Sequence, residues 1–113
     1  MDEAAFRSLA LALPGAEEKS HFGKADFRVR NRIFASLPDP SRGVIKLTPD
    51  EQAMMVGAEP GIFAPIKGGW GRQGWTSVDL SAADDKTLAG ALRTAWRNVA
   101  PAILRKKIHD GDT

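Results

Sequence analysis

The chain has 113 residues, of which 42% are hydrophobic and 27% charged. These figures suit one globular domain spanning 1–113 and exclude wholesale disorder. The chain contains no cysteine, which removes disulfides, thiolate zinc sites, iron–sulfur clusters and cysteine nucleophiles together. Net charge is only +2, but it is segregated. Residues 1–18 carry Arg7 against four acids, whereas residues 19–46 carry seven Lys or Arg against Asp26 and Asp39. A second basic surplus lies in residues 93–113. Such grouping predicts one basic face, although ordinary solvated surfaces produce it too. The first residues do not form a basic-then-apolar leader, and no apolar run approaches the ~20 residues that span a bilayer. A soluble, cytoplasmic protein with no membrane partner is expected.

Phe6, Leu9, Ala10 and Leu13 form one apolar helical stripe, with Asp2 and Glu3 in its first turn. Leu13-Pro14-Gly15 should stop that helix. Residues 25–37 read as a hairpin turning at Asn31, with Phe27 and Val29 inward and Arg28 and Arg30 outward. Ile33, Ala35 and Leu37 continue the alternation. Phe34 opposes their parity, so it lies either beside the arginines or inward through a strand irregularity. Residues 38–43 read as a loop and Val44–Leu47 as a third strand, with Lys46 outward. Thr48-Pro49-Asp50-Glu51 combines a capping box with proline at the first helical position, predicting a helix to about Val56. Residues 62–66 and 75–80 read as strands around a glycine-rich connection. The last helix begins near Asp84 and carries Leu88, Leu92, Ala95, Trp96 and Val99 on one stripe until Pro101 ends or kinks it. A short basic tail from about 106 should fray. The order α-β-β-β-α-β-β-α predicts an α+β two-layer sandwich, an antiparallel sheet of about five strands with helices on one face.

Few residues point to catalysis. Gly69-Trp70-Gly71-Arg72-Gln73-Gly74 fits the dinucleotide spacing, but a strand rather than a helix should follow it. A kinase glycine loop needs catalytic motifs that this chain lacks. His21 has no partners at metal-ligand spacing, and Ser20 and His21 point to opposite sides of an extended chain. A hydrogen bond near a strand end is the expected fate of His21. His109 falls in the tail, and Asp84-Asp85 suits a helix start. The expectation is a non-enzyme with no metal and no cofactor.

The basic and aromatic residues offer more. Arg28, Arg30 and Lys46 share outward parity, while Lys67, Trp70 and Arg72 lie on the glycine-rich loop. Cations interleaved with an aromatic suit phosphate contacts plus stacking or groove insertion. Trp70 could equally cover the base of its own loop. Trp75 and Trp96 are expected in the core.

Several segments in order resemble the MmcQ/YjbR family: Leu13-Pro14-Gly15-Ala16-Glu17-Glu18, His21-Phe22, Asp26-Phe27-Arg28-Val29, Ile33-Phe34-Ala35, Lys46 through Gln52, and Trp70-Gly71 with Gly74-Trp75. The resemblance runs from about Leu9 to Arg105. It implies a small two-layer domain laid out like type III secretion chaperones, and DNA binding through a double-wing-like shape. Asn31-Arg32 stands where family members often carry Gly-Lys. The resemblance supplies no catalytic residues.

The resulting expectation is a monomeric nucleic-acid-binding protein, with DNA as its partner. Its site would comprise Arg28, Arg30, Arg32, Lys46, Lys67, Trp70 and Arg72, carried on two wings. The alternative is a protein-interaction module that holds a partner peptide on the sheet face or edge. A continuous positive face would favour the first, and a broken one beside an apolar patch the second.

Overall fold

The computed structural model describes residues 2–108, except for the His21 side chain. The hydrogen bond expected of His21 and the tail from His109 onward lie outside the described residues. Helix α1 spans Glu3–Leu11, capped by the Asp2 carboxylate, which accepts from the Ala5 amide at 2.9 Å. Six strands follow, forming one antiparallel sheet with order β1-β2-β3-β4-β6-β5. They are β1 (Ala16–His21), β2 (Lys24–Val29), β3 (Arg32–Asp39), β4 (Arg42–Lys46), β5 (Phe63–Pro65) and β6 (Trp75–Asp79). Between β4 and β5 runs helix α2 (Pro49–Ala58), and between β5 and β6 a short helix α3 (Gly69–Arg72). Helix α4 (Asp85–Arg97) and a short α5 (Ala102–Arg105) complete the order.

The fold expected from the sequence is the fold observed, with six strands in place of about five. The added strand is β1, whose Ala-Glu-Glu-Lys-Ser-His sequence has no apolar alternation. Its conformation comes from a full ladder with β2, pairing Ala16 with Val29 through to His21 with Lys24. Both hairpin turns flanking β2 have two central residues at positive φ, Phe22 and Gly23 in one, Arg30 and Asn31 in the other. That geometry matches the twist of paired antiparallel strands. Arg30 therefore occupies the turn beside Asn31, not an outward strand position.

Helices α1 and α4 cover one face of the sheet. The core there joins Phe6, Phe27, Phe34, Ile45, Leu47, Val78, Leu88, Leu92 and Trp96, all buried. Trp96 sits in the core as expected, its indole N–H donating to the Pro14 carbonyl at 2.8 Å. Phe34 is explained by a bulge: Phe27 opposes Ala35 while Arg28 opposes Ile33, so Phe34 is the extra residue. It turns inward and is fully buried. The same bulge sends Ile33 outward, against its expected parity with Ala35 and Leu37.

Candidate nucleic-acid interface

The face of the sheet opposite the helices carries no covering element among the described residues. One row across it reads Lys19, Asp26, Ser36, Val44, Ser77 and Ala64 by register. Beside that row lies a groove of about 560 Å³, lined largely by apolar surface. Ile33 and Val44 form its floor; Trp70, Trp75 and Ile66 border it on one side, Phe22, Lys24, Pro38 and Arg42 on the other. Asp26 is the only acid of the lining. It is buried, and both its oxygens accept from Arg28, at 2.8 Å from Nε and 3.0 Å from Nη2.

That pairing alters the expected site. Arg28 also donates to the Asn31 side chain at 2.9 Å, so its guanidinium is already committed. The hydrogen bond to Asp26 raises its pKa still further above the ordinary arginine value. Lys46 is likewise engaged: its ammonium donates to the Gln73 carbonyl at 3.2 Å and lies 5.2 Å from the Trp75 ring centre. Trp75 itself, expected in the core, stands half-buried on the outward face. Its parity is opposite to that of buried Val78, three residues on, and Thr76 takes the inward position instead.

Trp70 packs edge-on against Trp75, with ring centres 6.2 Å apart and planes at 74°. It remains 63% exposed. The glycine-rich segment that carries it does not project as a flexible loop. It folds into α3, because Gly71 and Gly74 let backbones approach too closely for any side chain. A Cβ at Gly71 would lie 1.7 Å from the Ile66 carbonyl oxygen, and one at Gly74 1.9 Å from that of Leu47. Gln52 then clamps the segment. Its amide nitrogen lies within donating distance of the Gly71 carbonyl (3.0 Å), the Trp75 carbonyl (3.0 Å) and the Thr76 hydroxyl (3.1 Å).

The origin of Gln52's position is local. Thr48 caps α2 by accepting from the Glu51 amide at 3.1 Å, and Glu51 reaches back to the Thr48 amide at 2.8 Å. Asn98 ties that box to the sheet, donating to Glu51 at 2.8 Å and to the Lys46 carbonyl at 3.0 Å. The run Lys46-Leu47-Thr48-Pro49-Asp50-Glu51-Gln52 thus builds the support of the two tryptophans.

The remaining expected residues, Arg30, Arg32, Lys67 and Arg72, are exposed. All belong to the same end of the sheet, where β2 turns into β3, β4 ends and β6 begins. Arg28 and Lys46 line that end but are occupied by neighbours. The basic surface is therefore a rim of four exposed cations beside an apolar groove, not a continuous positive face. Sequence reasoning missed Gln52, Asn98, Phe22 and the groove floor. The Asp26–Arg28 pair had a readable signal, two opposite charges at i, i+2 on one strand face.

The fold and surface define a two-layer α+β domain with an open, groove-bearing sheet. The YjbR family model matches residues 11–98, and the chain belongs to that family. A crystal structure titled as Deinococcus radiodurans protein DR2400, family-model domain DUF419, is similar over 89% of this chain and 83% of that one. The two share 24% sequence identity and superpose with a TM-score of 0.70, a likeness of fold. No curated protein matches significantly.

Proposed function

We propose that this protein binds nucleic acid, without catalysing a reaction on it, at the end of the sheet that carries Trp70. It would do so as a cytoplasmic monomer. The observation that carries this reading is the exposed Trp70 ring, braced by Trp75 and flanked in sequence by Lys67 and Arg72. Arg30 and Arg32 supply further phosphate contacts from the neighbouring turn. A braced aromatic bordered by exposed cations suits a base and its phosphates, because stacking needs a fixed ring and phosphates accept diffuse charge.

With about four phosphates engaged, log affinity against log salt should slope at roughly −3 to −4. Anisotropy titrations with a labelled oligonucleotide between about 50 and 200 mM salt measure it. Replacing Arg72 with alanine should reduce the slope by nearly one. No binding at the lowest salt rejects the reading.

The groove's apolar lining favours a second reading, a protein partner that inserts apolar side chains over Val44 and Ile33. Binding that is insensitive to salt and abolished by Val44→Glu would select it.

A further inference from the structure

The double-wing picture requires elements that protrude and enter a duplex groove. Neither candidate does so. The β2–β3 turn places only Arg30 and Asn31 beyond the ladder, and the glycine-rich segment is folded down and clamped by Gln52. What the outer face offers instead is flat ring surface. Trp70 stands on one side of the groove at 63% exposure, and Phe22 on the other at 91%. Phe22 belongs to the β1–β2 turn and Trp70 to the approach to β6, so the rings face the groove from opposite sides. Phe22 is held at φ 52, the left-handed conformation that its two-residue turn requires.

Charge fits the same occupant. The one acid in the groove, Asp26, is neutralised by Arg28. Lys24 borders the groove beside Phe22, and Arg42 is held only loosely, 3.7 Å from Asp39. Cations therefore accompany both rings, with apolar floor between them. A duplex hides the flat faces of its bases; a single strand presents them. We infer that the groove takes single-stranded nucleic acid, with unpaired bases against Trp70 and Phe22 and phosphates along Lys24, Arg42 and Arg72. This inference rests on the nucleic-acid reading above and narrows its ligand.

The test compares a labelled oligothymidylate of about 12 nucleotides with a duplex of equal length, using the full chain. The single strand should bind at least about tenfold tighter, with quenching of tryptophan emission. Trp70→Ala and Phe22→Gly should each weaken single-strand binding by about fivefold or more while leaving the salt slope unchanged. Both residues are exposed, and circular dichroism checks that each variant keeps the wild-type spectrum. Equal or tighter duplex binding overturns this inference and leaves the broader reading standing. A single-strand preference that survives in the double variant, Trp70→Ala with Phe22→Gly, also overturns it, since the bases then lie elsewhere. Failure of both probes removes the broader reading itself. A dimer in sedimentation that the double variant dissolves assigns the groove to a second copy, which again overturns it.

Discussion

Replacing Gln52 with leucine probes how the tryptophan pair is held. The amide nitrogen carries two hydrogens and faces three acceptors, so at most two receive a full bond at once. Leucine has similar bulk but donates nothing. The Gly71 carbonyl then loses its side-chain donor. The Trp75 carbonyl keeps the Ile66 amide at 3.0 Å, and Thr76 still donates to the Gly74 carbonyl at 2.8 Å. The Gly71 carbonyl keeps the Gly74 amide at 3.0 Å, so no acceptor is stranded, and the two lost bonds at part-buried positions cost about 1–3 kcal/mol. For a domain of this size that lowers the melting temperature by roughly 10 °C. Thermal unfolding followed by circular dichroism measures the loss. Tryptophan emission of the folded variant reports whether Trp70 and Trp75 have loosened. A melting temperature lowered by less than about 2 °C, with emission unchanged, would refute the clamp.

Arg28→Ala should lower the melting temperature, because it leaves the buried Asp26 carboxylate without its partner, yet leave the salt slope of oligonucleotide binding unchanged. A flatter slope would return Arg28 to the phosphate-contacting set. The glycines separate by environment: Gly74→Ala, at φ +109 with its Cβ against the Leu47 carbonyl, should cost about 3 kcal/mol or more. Gly90→Ala, inside α4 with open space around it, should instead stabilise by about 0.5–1 kcal/mol. Chemical denaturation of both variants measures that contrast. Asp84, Asp39 and Asp79 titrate below their ordinary 3.8: Asp84 through its bonds from Thr87, the others chiefly through the hydroxyls of Ser41 and Ser81. Their folded pKa values lie below the unfolded ones, so their stabilisation is present above about pH 4 and lost as pH falls through the folded values. Asp84→Asn keeps a capping acceptor but does not titrate, so its melting temperature should fall less steeply below pH 4.

Features set by neighbours in the chain were readable; those set across the sheet were not. Thr48 and Glu51 cap α2 from three residues apart, and Asn31 tolerates the positive φ of its turn, so both could be placed without the fold. β1 was invisible because its strand state depends on pairing with β2 and, among its described side chains, only Ala16 packs against the core. The bulge at Phe34 depends on how β2 registers with β3, and it reversed the expected side of Ile33. Trp75 was misplaced by its size, although its parity against Val78 already pointed outward. Of the candidate site, Arg30, Arg32, Lys67, Trp70 and Arg72 are exposed at one end of the sheet. Arg28 and Lys46 were outward as expected, but their partners Asp26 and Gln73 consume what the sequence offers as free charge.

The two borders of the sheet differ from its middle in a way that bears on self-association. At one border, β1 sets the exposed Glu17, Glu18 and Lys19 in succession, so an added strand would have to bury charge on both of its sides. At the other, β5 offers three residues and ends in Pro65, which has no amide hydrogen to donate. Both are devices that stop a sheet from growing by adding strands. An open face that must stay uncovered to meet a ligand exposes a protein to stacking and fibre formation. Here both edge strands are guarded, so the exposed rings can remain in water without templating a second molecule edge to edge.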